Sequence, residues 1–459
     1  KPATMGKGSS GGSSFSSKKG SGGGGGRGEA LKIVIGTGLL AGGYWLGFVH
    51  SSSYATTVET PATEAQRSSL RRNHRWASEE SSILDGFNLN RTALRLPLED
   101  SNKGVPEPME SPDDCREVTP GYPHKYAVSK LIANWNPDDW KPPAKMYSSL
   151  CRFDYQTQYD VAKKFRDAEV PFQLYNVPEM NEVARKWSDD AYMRRRLGSS
   201  KFKCEASNPG GEVNHGANHF MYTNGRPTGS NKEPPIKHVR LSWDEWLDKV
   251  AKNSNKSVDE PDARFYFRFS AASPNDGQGG WLFEELPFFQ PKETLFVREP
   301  KGQRGIHCRF GMAGVIAEAH WDGSRNMIAQ FHGRRRYLLV DPDDSCDMYL
   351  LAKNHPSGRH SEVDWSKPDS WDKFPKFPDM KAHEVVQRPG DFLYLPTYYL
   401  HYIVSLDRNY QCNTRSGRDD RQTDVVNKCT PGFVDVANAG NKGKKLKKKL
   451  LAKKNSLQR

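Results

Sequence analysis

From residue 264 to residue 406 the chain falls into short runs rich in β-branched and aromatic residues, over 264–271, 294–297, 314–319, 336–340, 384–387, 392–395 and 403–406. Gly, Pro and Asp separate them, as in Pro342-Asp-Asp and Pro389-Gly-Asp391. Many short strands with long insertions suit a jelly-roll barrel, so the expected fold class is mainly β, a double-stranded β-helix over 264–425. An α+β region, 115–263, precedes it. There 161–168 and 179–186 read as helices, and Ser242-Trp-Asp-Glu245 is a capping box that opens a third over 243–250. The supply of 11 Trp, 18 Tyr and 21 Phe is enough for a substantial core.

The net charge of +13 sits at the ends: residues 1–32 carry +5 and residues 440–459 carry +9, which leaves −1 for the rest. A near-neutral body does not argue for a nucleic-acid groove. Residues 1–32 form a basic Gly/Ser-rich tail, read as disordered. The next seventeen, IVIGTGLLAGGYWLGFV at 33–49, carry no charge. A helix of that length spans roughly 26 Å, slightly short of the ~30 Å hydrocarbon core. A single N-terminal transmembrane helix over 33–50 is therefore expected. A cleaved signal peptide or an organelle transit peptide competes with it, whereas five glycines weigh against a buried soluble helix. Cations precede the span, so a single-pass type II arrangement with the bulk lumenal, in the ER or Golgi, is expected. The sequons Asn90-Arg-Thr92 and Asn255-Lys-Ser257 are compatible with that. If translation begins at Met5, Met5-Gly6 with Ser10 is a weak myristoylation match.

Residues 51–114 read as a stem or linker and 426–459 as a basic tail. Within the tail, 442–454 alternates lysines with Leu446, Leu450, Leu451 and Ala452. It is either a solvated extension or an amphipathic helix drawn to anionic lipid or a polyanion. The seven cysteines form no CxxC pair, which argues against a zinc ribbon or a dense disulfide scaffold. One or two isolated disulfides suit a lumenal domain, with at least one thiol left over.

The chemistry concentrates in Ala319-His320-Trp321-Asp322. Residues two apart on a strand share a face, so His320 and Asp322 can present an imidazole and a carboxylate to one point. Two histidines and one carboxylate leave the opposite positions of a metal open, which is the ligand set of non-haem Fe(II) oxygen chemistry. The third ligand is expected from a distant strand. Pro389-Gly-Asp-Phe-Leu-Tyr-Leu-Pro-Thr-Tyr-Tyr-Leu-His401 supplies a turn, an apolar strand, a proline stop and a histidine. An isolated His-x-Asp means little; the combination, with a turn at Gly333, carries the signal. His215-x-x-x-His219 has helical ligand spacing, but its Gly and Asn neighbours read as a loop. His307, His332, His355, His360 and His383 have no partner pattern, and the acids of 341–347 lack EF-hand spacing.

The text from His320-Trp-Asp through Asn326-Met-Ile-Ala-Gln-Phe-His-Gly333, Tyr337-Leu-Leu-Val-Asp-Pro342 and Pro389-Gly-Asp-Phe-Leu-Tyr-Leu-Pro396 to His401-Tyr-Ile-Val-Ser-Leu406 and Gln411-Cys-Asn413 resembles the JmjC hydroxylase and cupin-like-8 family, which includes the asparaginyl hydroxylase that inhibits hypoxia-inducible factor. The resemblance is close over 264–418 and loose over 122–263. It implies Fe(II) on His320, Asp322 and His401, with 2-oxoglutarate as cosubstrate. Family members hold the distal carboxylate of 2-oxoglutarate with a lysine; the matching position here is Arg335, flanked by Arg334 and Arg336. A guanidinium offers a planar fork and stays charged, but its bulk requires a different pocket. The alternative is that these arginines are partly surface charges. Asn326 and Asn413 match asparagines near the iron and cosubstrate, with ordinary capping as the alternative. Tyr266 matches a strand tyrosine that can donate to the cosubstrate, with a plain core tyrosine as the alternative. A family threonine falls at Ala317, where one hydrogen bond is missing or replaced. The resemblance implies hydroxylation of a protein side chain. A methyl-lysine demethylase of the same fold and a non-catalytic cupin-like scaffold remain alternatives, and the oligomeric state is not indicated.

Overall fold

A computed structural model describes residues 103–109, 114–207, 218–221, 236–253 and 264–431. Residues 1–32, the 33–49 stretch, most of 51–114, both sequons and 432–459 lie outside them, whereas 426–431 of the expected tail belong to the folded part, in and just after a helix over Thr423–Cys429. Among the described residues no helix is long and apolar enough to cross a membrane. The longest that line the domain are of the order of Trp243–Asn253, 11 residues, against the roughly twenty a span requires. The expectation of a single-pass membrane protein with a lumenal domain is corrected on that finding.

Among the described residues, nine strands build the barrel region: β1 (Phe265–Ala271), β2 (Gln303–Gly311), β3 (Ile316–Trp321), β4 (Asn326–His332), β5 (Arg335–Val340), β6 (Lys381–Gln387), β7 (Phe392–Leu395), β8 (Leu400–Ser405) and β9 (Asn409–Ser416). One sheet contains the order β7-β4-β9-β2-β1 and the other β6-β5-β8-β3. Strands β2 to β9 thus follow the jelly-roll path. The preceding α+β segment lengthens both sheets. Phe172–Tyr175 pairs with β7, Phe202–Ser207 with β1, and His219–Phe220 with β3.

The apolar runs are near-continuous because the second sheet is covered on both faces. Tyr337, Leu339, Val385 and Ile403 join the cluster shared with the first sheet. Their neighbours Leu338, Val340, Val386, Tyr402 and Val404 join a second cluster, with helix Val128–Asn134 and with Trp365, Trp371 and Phe377. The expected helices form as Tyr159–Asp167, Pro178–Trp187 and Trp243–Asn253. The capping box closes reciprocally: Ser242 N–H donates to Glu245 Oε2 at 2.7 Å and Glu245 N–H to Ser242 Oγ at 3.3 Å. Residues 294–297 do not form the expected strand. The Thr294 hydroxyl accepts from the Phe296 and Val297 amides, which folds the run into a turn with Leu295, Phe296 and Val297 buried.

Six cysteines pair as Cys115–Cys151, Cys308–Cys412 and Cys346–Cys429, one bridge more than expected. Cys204 stays free and buried, its thiol pushed up to about 12 by burial. Cys308–Cys412 ties β2 to β9 at directly paired positions and closes a separation of 104 residues. Long closures restrict the unfolded chain most, so the double variant Cys308→Ser, Cys412→Ser should lose about 4–5 kcal/mol. Calorimetry would read this as a melting temperature lower by roughly 10 °C or more; an unchanged midpoint would mean that the bridge contributes nothing.

Candidate metal centre and cosubstrate pocket

Strand β3 runs antiparallel to β8, and their register shifts between Ala317 and His320, after which His320 lies opposite His401. Such a bulge re-aims the side chains beyond it. The two rings meet with centroids 4.3 Å apart. Asp322 follows just past the strand end, where its carbonyl accepts from the Tyr398 amide at 2.9 Å. All three residues are buried, and their ligating atoms lie within 4.8 Å of one another.

The backbone fixes both rings. His320 Nδ1 lies 2.7 Å from the Glu318 carbonyl oxygen and His401 Nδ1 lies 3.0 Å from that of Tyr399. A carbonyl only accepts, so each Nδ1 carries the proton and each Nε2 keeps its lone pair. Burial holds both imidazoles below the usual histidine range, His320 well below it with His401 and Arg359 adding to the effect. Burial opposes ionisation of Asp322, but Arg415 and Arg359 hold its carboxyl well below the usual range. Arg359 Nη1 donates to Asp322 Oδ1 at 2.6 Å, and Arg415 Nη2 donates to Oδ2. Two neutral imidazoles and one carboxylate on one side of a point fit a divalent metal with free positions.

A pocket adjoins these ligands, and Tyr266, Asn326, Arg335 and Asn413, all expected from the sequence, line it. The three consecutive arginines separate completely. Arg334 pairs with Asp407 toward the surface, and Arg336 forms a fully buried pair with Glu384 while lying 4.2 Å over the Trp135 ring. Arg335 points into the barrel, 1% exposed, donating to Asn409 Oδ1, to Gln411 Oε1 at 2.5 Å and to the Arg309 carbonyl at 3.0 Å. Arg335 and Arg336 are therefore not surface charges. The Arg335 guanidinium sits 5.4 Å from the Tyr266 ring centre. Asn413 Nδ2 donates to Asn326 Oδ1 at 2.8 Å, and Asn413 Oδ1 is buried without a partner among the described residues. Ala317 packs inside the barrel opposite Ile403.

Residues 159–415 match the family described as the cupin-like domain. The chain belongs to that family. Among its relatives, JmjC domain-containing protein D of Dictyostelium discoideum is 30% identical over 249 residues, 51% of this chain and 47% of that protein. Lysine-specific demethylase 8 of Xenopus tropicalis is 28% identical over 136 residues, 28% of this chain and 30% of that protein. The tRNA wybutosine-synthesizing protein 5 of mouse is 27% identical over 170 residues, 36% of this chain and 51% of that protein. The matches thus span between about a third and a half of these relatives' own lengths.

This cupin-like domain also places groups at the site that sequence reasoning missed: Arg309 and Gln411 line the pocket, while Arg359 and Arg415 hold Asp322. Gln411 and Arg415 lie two residues either side of Asn413, so strand alternation from that one assignment would have nominated both. His360 stacks on His320 with centroids 4.9 Å apart, and His320 forms a bridge with it.

Two residues before His320, the buried Glu318 carboxylate accepts from His219 Nδ1, and His219 Nε2 lies 3.5 Å from Asp138 Oδ1. His215, the suggested partner of His219, lies outside the described residues. Burial opposes the charge on His219, but Glu318 and Asp138 raise its pKa to about 10. A folded value above the unfolded ~6.5 stabilises fully below pH ~6.5, and that contribution is lost as pH rises through about 10. Thermal midpoints should therefore fall across this window in the wild type and much less in His219→Gln. Equal slopes would remove the ion pair from the account.

Proposed function

We propose that this chain is an Fe(II)- and 2-oxoglutarate-dependent oxygenase that hydroxylates a protein side chain. The carrying observation is the buried His320–Asp322–His401 cluster opening onto a pocket lined by the buried guanidinium of Arg335, a group of the kind that binds carboxylates. The family membership supports an oxidoreductase of this class. Iron held by these three residues would supply the oxygen chemistry in which O₂ is consumed, one of its atoms entering succinate as 2-oxoglutarate loses CO₂ and the other entering a substrate C–H bond. The chain's own part is orientation and charge. The Glu318 and Tyr399 carbonyls fix both imidazole tautomers, and Arg335 would hold the distal carboxylate of the cosubstrate, with Tyr266, Asn326 and Asn413 shaping the pocket around it.

Demethylation of methyl-lysine would use the same atoms, and relatives named lysine-specific demethylase 8 favour it as the second reading. Incubating the purified full chain with Fe(II), ascorbate and 2-oxoglutarate should release succinate. A mass search of candidate substrate proteins should then find the gain of one oxygen atom rather than the loss of a methyl group. No succinate and no binding of 2-oxoglutarate would favour the non-catalytic scaffold.

A further inference from the structure

Strand β3 does not reach the metal position as a regular strand. Ala317 lies opposite Ile403 and His320 opposite His401, so Glu318 and Ala319 together face the single residue Tyr402. Two residues against one leave part of the ladder unmade and turn the chain locally. The side chains record the turn. Ala317 packs in the cluster inside the barrel, whereas Ile316 and Ala319 both join the cluster on the far side of the sheet, with Tyr402. Strict alternation would have put Ala317 and Ala319 on one face and His320 on the other. The extra residue, Glu318, is what brings the His320 ring round to His401.

Glu318 is tied at both ends. Its carbonyl oxygen accepts from His320 Nδ1 at 2.7 Å, and its carboxylate, 1% exposed, accepts from His219 Nδ1. A carboxylate removed from water is costly unless it is paired and hydrogen-bonded, so the place of this one follows its partner. His219 in turn is set by the sheet and loop around it. The His219–Phe220 strand runs parallel to β3 beside Ile316 and Ala317. The Asn218 carbonyl accepts from the Ile316 amide at 2.9 Å, and Asn218 Nδ2 donates to the Gly314 carbonyl at 3.0 Å. On the other side, His219 Nε2 lies 3.5 Å from Asp138 Oδ1. A continuous line of polar contacts thus runs from Asp138 through His219 and Glu318 to the ring of a candidate metal ligand. His219 itself does not line the pocket.

We infer that His219 is a positioning residue for the metal centre: through the Glu318 carboxylate it holds the irregular turn of β3 in the shape that aims His320 at His401 and Asp322. This rests on the metal-binding reading of those three residues. Partners one step out from a ligand set its orientation and thereby its affinity for the metal. A role confined to fastening the His219–Phe220 strand to the sheet would lower the melting temperature and leave metal binding as it is.

The test titrates the full chain with Co(II) alone, below the melting range of each variant, and follows the visible absorption bands that Asp322→Ala removes. His219→Leu should bind Co(II) at least about tenfold more weakly than the wild type, with shifted bands. His219→Asn can donate to Glu318 from near the place of Nδ1, so it should recover most of that affinity while still melting lower than the wild type. Should His219→Leu fail to fold, His219→Gln replaces it, since its amide nitrogen falls near the place of Nε2, toward Asp138. Wild-type affinity and bands in the folded His219→Leu or His219→Gln protein overturn the inference. Equal weakening in His219→Asn also overturns it, because the effect then belongs to the lost charge. A wild type that takes up no Co(II) removes the metal centre itself, and the inference with it.

Discussion

Asp322→Ala should leave the protein unable to retain iron. The substitution removes the anion among three donors whose atoms lie within 4.8 Å of one another. It also leaves Arg359 and Arg415 facing the metal position with no carboxylate between them and an incoming dication. Loss of an outer-shell partner typically weakens metal binding about 10–100-fold. Loss of a direct ligand, together with the carboxylate that Arg359 and Arg415 share, should exceed that upper figure. Metal content after dialysis, together with Mn(II) titration, reads the effect directly, and succinate release should vanish with it. A variant that keeps wild-type iron occupancy would take Asp322 out of the ligand set.

Arg335→Met should raise the KM for 2-oxoglutarate by roughly a hundredfold or more. Truncating one partner of a buried charged pair costs about 2–5 kcal/mol, and each 1.4 kcal/mol is about a tenfold change. The complication is that Arg335 also braces the barrel through Asn409, Gln411 and the Arg309 carbonyl. Arg335→Lys separates the two roles. Lysine keeps the charge but cannot reproduce the fork, so both variants should melt at lower temperature while only Arg335→Met loses most of its affinity for the cosubstrate. If Arg335→Met lowers the melting temperature and leaves that KM unmoved, Arg335 is a brace alone.

Strands with apolar residues on both faces were readable in the sequence: 392–395 coincides with β7, and 336–340 lies within β5. Strands β2 and β9 were not. In β9 the inward-facing positions are Gln411 and Asn413, because that face lines a pocket, so the usual apolar-in pattern disappears. Residues 294–297 failed in the opposite sense, since a hydroxyl captured two amides and turned an apolar run into a buried loop. The candidate ligands His320, Asp322 and His401 were legible from spacing and order. Arg359 left no such trace. It reaches Asp322 only because its loop bridges onto β3, through His360 opposite His320, and a long-range pairing of that kind has no local signature.

The offset between β3 and β8 has a consequence for how the proposed reaction could be lost. Side chains on a strand alternate between its faces, so deleting one codon ahead of His320 would move His320 into the place of Ala319 and Trp321 into the place of His320. Both flanks of that sheet are packed with apolar groups, so such a deletion would leave much of the hydrophobic lining in place while sending the imidazole toward Trp365 and its neighbours. A descendant of this kind would still show His, Asp and His in order to any motif search, and would be inert. For chains that resemble this one, phase along the strand is as diagnostic of chemistry as residue identity.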